Sequence, residues 1–453
     1  MSRKPTRMVN MTEGSIWRHM VNFAVPVLLG NLFQQLYNTF DSIVVGRFAG
    51  KDALAAVASS GNLIFMMISF FVGLSMGAGV VISRWFGAGD DERLEAAIHT
   101  DVAFGCVCGV FLTLVGIFFT PQILVWMRTP EEVLPLSILY FRIFFSGSLA
   151  SILYNTFTGI MRAVGDSRTP LIYLIVASVT NIVLDLIFVG GLSMGVAGAA
   201  FATVLSQILS AILCAIRLMR MEGACRLIPS HIRFDMHQLR LVVNQGIPAG
   251  LQNSVIAIAN VVVQSNVNSF GGDAMAGHGA YAKVEGFVFM PITAFTMAMT
   301  TFIGQNLGAG KHERARQGGR FGLFSAMILA EGIGLIIFLL APQAIALFND
   351  DPEVIAIGTR AARIEALFYC FLAMAHAISA VMRGIGKAKI PMYIMLGCWC
   401  ILRVIYITLM VRWYQDVAVV FTAYPLTWFV SCIIFLVCYL RIDWVRAARP
   451  LEY

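Results

Sequence analysis

Between Arg240 and Asp273 lie 32 residues without a charge. Three further runs are nearly as long: 26 residues between Asp101 and Arg128, 25 between Glu285 and Lys311, and 24 between Asp416 and Arg441. About 20 apolar residues in a helix cross the hydrocarbon core of a bilayer. In lipid the backbone must satisfy its own hydrogen bonds, which leaves helices or closed barrels. A barrel would show short alternating segments, and these runs are continuous. The expected fold is therefore an all-α polytopic membrane protein. Composition agrees. Only 13% of residues are charged, against roughly 25% in soluble domains, too few to cover a water-facing surface. The first 18 residues, MSRKPTRMVNMTEGSIWR, are polar and basic. They lack an apolar stretch with a cleavage site, so no signal peptide is expected.

Twelve spans are expected, near 19–45, 55–84, 96–121, 137–162, 169–190, 195–217, 241–268, 276–307, 319–341, 356–383, 391–411 and 417–440. The basic residues set their direction. With the N-terminus inside, 23 of the 32 Lys and Arg fall on the cytoplasmic side, from Arg3, Lys4 and Arg7 in the tail to Arg441, Arg446 and Arg449 at the end. Four fall outside (Arg47, Lys51, Arg128, Arg412), and five lie in or at the ends of spans. Positive charge collects on the cytoplasmic side, so both termini are expected there. The net charge of +7 is then a topology signal, and no nucleic-acid partner is expected.

The sequence repeats itself. FGAGDDER at 86–93 matches LGAGKHER at 307–314, and GIMRAVGDSRTP at 159–170 matches AVMRGIGKAKIP at 380–391, both at an offset of 221. Val25-Pro26 matches Ile247-Pro248 at 222. Each half holds six spans, so the repeats share one orientation and are related by a pseudo-two-fold axis along the membrane normal. The division expected is an N-terminal lobe at 1–217, a cytoplasmic linker at 218–240 and a C-terminal lobe at 241–453. Two-lobed transporters of this kind work by alternating access. An enzyme is not expected: no nucleophile elbow, P-loop, HExxH or kinase signature is present.

Ionisable groups at membrane depth are expensive and mark function by default. In GNLFQQLYNTFDSIVVG, residues Gln34, Tyr37, Asn38 and Asp41 share one helical face. In SVTNIVLDLIFVGG, Asn181 stands one turn before Asp185, and Thr203 in the next span has a place to close the same site. Oxygen ligands of this kind suit sodium, and a pair of carboxylates suits a proton. The competing role for the aspartates is structural, holding two helices together. The other half lacks the pair: Asp41 maps near Val263 and Asp185 to Tyr406. It carries Lys283 and Glu285 in AYAKVEGFVFMP, with Glu331, Glu365 and Arg403 further on. Asymmetric polar groups in a symmetric scaffold suggest two tasks, ion coupling in the first lobe and cargo contact at Glu285. Met290 and neighbouring aromatic and methionine side chains would supply soft walls for an organic cation. The competing role for Glu285 is a structural pair with Lys283 or Arg403. Lys283, two residues away, does not face it along a regular helix. His376 maps to Asn155, a polar pair at equivalent places, and Gln34 extends the polar face of span 1. Pro26 and Pro248 sit inside equivalent spans and Pro291 in span 8, where proline kinks a helix. The nine cysteines show no metal spacing and are expected to be small hydrophobes. No structural metal and no cofactor is expected.

VPVLLGNLFQQLYNTFDSIVVGRFAG, the two GAG turns, the paired GIMRAVGDSRTP and AVMRGIGKAKIP, and NIVLDLIF together resemble bacterial members of the multidrug and toxic compound extrusion (MATE) family, over essentially the whole chain. The resemblance implies paired six-helix bundles in the bacterial cytoplasmic membrane, expelling amphipathic organic cations in exchange for inward protons or sodium. It implies a cation site of Asp41, Asn181, Asp185 and Thr203, with Tyr37 one turn before Asp41. The glutamate that one branch carries in the seventh span is Ile256 here, which puts a second ion site of that kind in doubt. Glu285 resembles an acidic residue of another bacterial branch. A metabolite or vitamin exporter and a lipid-linked precursor flippase are the alternatives on this scaffold. A monomer surrounded by membrane lipid is expected.

Overall fold

The computed structural model describes residues 8–126 and 129–449, with the backbone alone at most positions of 51–66. Arg3, Lys4, Arg7 and Arg128, and the side chains of Lys51 and Asn62, lie outside the described residues. All regular structure described is helical. In the first half the helices are α1 (Ile16–Phe48), α2 (Lys51–Ala88), α3 (Asp91–Trp126), α4 (Leu134–Ser146), α5 (Ser148–Ala163), α6 (Arg168–Asp185) and α7 (Gly195–Met219). The second half holds α8 (Met236–Asn268), α9 (Gly272–Gly308), α10 (His312–Ala346), α11 (Pro352–Ala366), α12 (Tyr369–Gly384), α13 (Lys389–Met395), α14 (Arg403–Trp413), α15 (Ala418–Leu440) and the short α16 (Trp444–Ala447). A π-helical turn, Leu186–Gly191, extends α6, and another, Leu396–Leu402, joins α13 to α14.

Among the described residues nine helices are long and apolar enough to cross a bilayer, and eleven spans result when the bent pairs α4/α5 and α11/α12 each count once. The twelfth is α1, with 33 residues, whose hydropathy is lowered by the polar face from Gln34 to Asp41. The chain is thus an all-α polytopic membrane protein with six spans in each half.

The two bends were not legible in the sequence, where spans 4 and 10 read as single helices. They measure 47° and 55°. The first falls at Gly147, and adding 221 leads to Phe368, in the second bend. At Gly147 a Cβ would sit 2.7 Å from the Val204 side chain on α7, so the chain passes closer than any other residue allows. At the second bend the freed N–H of Cys370 is taken up by Glu331 from α10, at 2.9 Å. The repeat is also written in the backbone. Glycines in the left-handed region recur 221 apart at Gly89 and Gly310 (φ 66° and 70°) and at Gly165 and Gly386 (φ 86° and 82°). The first pair ends α2 and follows α9, so the GAG motifs are helix stops.

The chain divides into two compact units. The first contains Leu29–Val243, and the second contains Met11–Leu28 with the residues from Asn244 onward. Both α1 and α8 therefore change unit along their length. In unit 2 the core gathers around Tyr281, Phe302, Tyr369, Phe421 and Trp428, all nearly inaccessible. In unit 1 it gathers around Phe141, Phe145, Leu112 and Leu124.

Candidate functional site

Unit 1 brings the expected ion-coupling residues together. Asp41 on α1 is 8% exposed, Thr203 on α7 is 6% exposed, and Asn181 and Asp185 on α6 are fully buried. The Asn181 amide, oriented to satisfy its neighbours, donates to Asp185 Oδ2 at 2.9 Å and accepts from the Thr203 N–H at 3.2 Å. The Thr203 hydroxyl donates to the Ala199 carbonyl one turn back, at 3.0 Å, which fixes its rotamer. Tyr37, half-buried one turn before Asp41, reaches the Thr203 side chain. The Asp41 and Asp185 carboxyls lie within hydrogen-bonding reach of each other. Two carboxylates that close need a proton or a cation between them. One oxygen on each, Oδ1, has no partner. Asp185 is the last residue of α6 before the π-turn at Leu186–Gly191. A π-turn widens the helix at that point, a distortion often found at functional positions.

Sequence reasoning missed Tyr140. It is buried on α4 within electrostatic reach of Asp41, Tyr37 and Asp185. The available signal was a phenol hydroxyl in an otherwise apolar span, which must find a polar neighbour.

The residues expected to meet cargo fall in both units. In unit 1, Gln34 is exposed on α1. Asn155 on α5 donates its amide to the Ser151 carbonyl at 2.8 Å. With Met67, Phe71, Phe144, Phe145 and Ser151 it lines a small, mostly apolar cavity of about 10 Å³. In unit 2, Glu285 and Met290 are half-buried on α9 and His376 is half-buried on α12. The His376 ring stands edge-on to Phe289 and Trp399, with centroids 5.8 and 5.3 Å away, and its Nε2 has no partner.

No salt bridge joins Glu285 to Lys283 or to Arg403, although Arg403 is close enough for its charge to act on Glu285. Lys283 is exposed, with its ammonium 5.4 Å over the Phe348 ring. Arg403 gives two hydrogen bonds to Thr427 Oγ1, at 3.2 and 2.9 Å, and lies 4.3 Å above the Tyr424 ring. Glu365, a weak candidate by sequence, is fully buried and accepts a hydrogen bond from Tyr281 at 3.1 Å. The Tyr281 hydroxyl also meets that of Tyr369 at 2.8 Å. Glu331, which had no evident partner in the sequence, caps α12 through Cys370.

Comparison with known proteins bears on the family and the fold. The MatE family model matches the chain twice, over residues 26–187 and 248–409, so each half carries one copy. A probable multidrug resistance protein of Bacillus subtilis, YoeA, is 32% identical over 397 residues, which cover 86% of each chain. A FAD transporter of Shewanella oneidensis is 24% identical, over 76% of this chain and 77% of its own. Among solved structures, a MATE protein in its bent conformation superposes with a TM-score of 0.92 at 24% identity, covering 98% of this chain and 100% of that one. With two family copies in register with the internal repeat, and a relative of that identity over most of its length, the chain belongs to the MATE family of multidrug efflux transporters.

Proposed function

We propose that the protein is a secondary active antiporter that expels amphipathic organic cations in exchange for inward protons or sodium. The observation that carries the reading is the Asp41–Asp185 pair. Two buried carboxyls with open Oδ1 valences, framed by Asn181, Thr203 and Tyr37, offer oxygen ligands to sodium and a shared seat to a proton. Either ion is cargo, so no resident cofactor is required. Glu285, Gln34, Asn155, Met290 and His376 are assigned to cargo. Glu285 supplies the charge that attracts a cation, and Met290 and Phe289 supply polarisable walls. We place the protein in the bacterial cytoplasmic membrane as a monomer among lipids, with both termini inside, on the distribution of Lys and Arg.

The test is dye efflux from proteoliposomes under a proton gradient or a sodium gradient imposed separately. Wild type is expected to respond to one of them and Asp41→Asn to neither. Efflux by Asp41→Asn at the wild-type rate sinks the coupling assignment. Failure of every cationic dye, with the protein folded, sinks the cargo class. The Shewanella relative named a FAD transporter supports a second reading, export of a metabolite. Riboflavin and FAD are the probes that separate it.

A further inference from the structure

The segment between α7 and α8 is fastened to unit 1 through one histidine whose protonation state the geometry dictates. His99, on the first turns of α3, is 2% exposed. Its Nε2 receives the backbone N–H of Ile228 at 3.0 Å, and its Nδ1 meets the Glu95 carbonyl at 2.8 Å. A backbone N–H only donates and a carbonyl only accepts, so the ring carries its single proton on Nδ1 and a lone pair on Nε2. An imidazolium has no lone pair to offer.

The rest of the segment is laid on the same surface. Leu227 N–H donates to the Leu218 carbonyl at 3.1 Å. Thr100 Oγ1 accepts the Asp235 N–H at 3.0 Å. Trp85 Nε1 donates to Gln238 Oε1 at 2.9 Å. Cys225 and Leu227 are each 4% exposed, and burial, with Asp91 adding to it, pushes the Cys225 thiol up to about 11.

We infer that His99 is a pH-sensitive latch that holds the 221–238 segment on unit 1 while the ring is neutral and releases its Ile228 turn when the ring is protonated. Histidine is the side chain that ordinarily changes charge near pH 6.5, at about physiological acidity. Ring protonation removes the acceptor of a buried N–H and places a positive charge against it, and undocking relieves both. Glu95 opposes release and His231 modulates it, being joined to Glu95 Oε1 at 2.8 Å with its ring 5.8 Å from that of His99. The other charged or titratable groups on the packed elements are Asp91, Glu92, Arg93 and Asp101 on α3, Arg84 at the end of α2, Arg217 on α7, and Glu222, Arg226, Arg233, Asp235 and His237 on the segment itself. Glu95, His99 and His231 have ligand atoms within 4.8 Å of one another. The lone pair of His99 is spent on Ile228, which leaves two ligands and a latch rather than a metal site.

The test is amide hydrogen exchange of residues 221–238 in the full-length protein in nanodiscs. It is read as protection factors at about pH 8 and about pH 5.5, on either side of the histidine range. Wild type is expected to lose protection about tenfold at the lower pH. His99→Gln, which keeps a neutral acceptor, is expected to hold protection at both, and His99→Arg at neither. His231→Gln is expected to respond as wild type does. Equal wild-type protection at both pH values overturns the latch without need of any variant. Loss of the response in His231→Gln overturns the assignment to His99, as does a wild-type response in His99→Gln.

Discussion

Buried carboxylates divide here by what they touch. Asp41 and Asp185 face each other with an open oxygen apiece, whereas Glu331 spends its carboxylate on a backbone N–H at a helix break. Asn substitution at either aspartate is expected to leave the protein folded and abolish gradient-driven efflux, checked by chromatographic monodispersity beside the dye assay. Glu331→Ala is expected to cost about 1–2 kcal/mol through loss of a cap, while Glu331→Gln, still an acceptor, retains most of it. Thermal melts in detergent separate the two. Tyr281→Phe removes the donor to Glu365 and is expected to destabilise by about 1–3 kcal/mol. At this scale the sequence marked the chemistry of one residue set and missed the partners of another. Asn181 and Asp185 are one turn apart on a single helix, so spacing alone places them together. Glu331 and Cys370 are 39 residues apart, and helix periodicity carries no information across that distance.

The helices approach one another along stripes of small residues, because dispersion contacts and close backbone approach replace the hydrophobic effect in lipid. On α10, Gly318, Gly322, Ala326, Ala330 and Gly334 are buried one turn apart. The corresponding positions on α3 include Ala97, Asp101, Gly105 and Gly109. At Gly109 a Cβ would lie 2.8 Å from the Leu149 Cα on α5. A backbone atom cannot swing aside, so Gly109→Ala is expected to force α3 and α5 apart and cost about 1–3 kcal/mol, read as a lowered melting temperature. The turn between α14 and α15 predicts a pH dependence. The Ala418 N–H, and after it Arg360, holds the Asp416 carboxyl below the usual carboxylate range. A lowered native value means the stabilisation is present above the ordinary carboxylate value of about 3.9 and fades as the pH falls through the native one. The pair is exposed, with Arg360 and Asp416 2.7 Å apart, so the loss is at most about 1 kcal/mol. The protection factors of amides 414–420 are expected to fall on acidification in wild type and to stay level in Asp416→Asn.

Over the whole molecule, the two halves solve the same problem with different residues. The end of α2 grips the segment before α8 through Trp85 and Gln238. The end of α9 grips the segment before α1: Gln305 accepts the Met11 N–H at 2.9 Å, and Lys311 donates to the Thr12 carbonyl at 3.0 Å. The left-handed turns at Gly165 and Gly386 are equivalent, yet one is followed by Asp166 capping Thr169 at 3.0 Å and the other is held by Gln245 at 2.7 Å. The repeat therefore preserves backbone conformation and leaves the side chains free to diverge, which is how one unit alone acquires the aspartate pair. The proposed orientation predicts that a membrane-impermeant thiol reagent labels Glu222→Cys only from the cytoplasmic side and Gln415→Cys only from the other. The reverse pattern would invert the topology.

What the sequence determined by itself was the architecture. Long charge-free runs require helices in lipid, because no water is there to satisfy a broken backbone, and an offset of 221 residues assigns six spans to each half. It also placed the ion-coupling candidates, since the residues within α1 and within α6 are set one helical turn apart. The tertiary structure alone decided which distant groups meet. It brought Tyr140 to the aspartates, Tyr281 to Glu365, Glu331 to the break before α12, and Ile228 to His99. It turned Arg403 onto Thr427 and Tyr424 rather than into an ion pair with Glu285. It also bent spans 4 and 10. Composition cannot reveal such a bend, because the residues on both sides remain apolar and helical. It depends on a neighbouring helix that crowds Gly147 in one unit and on a carboxylate that accepts the freed N–H of Cys370 in the other.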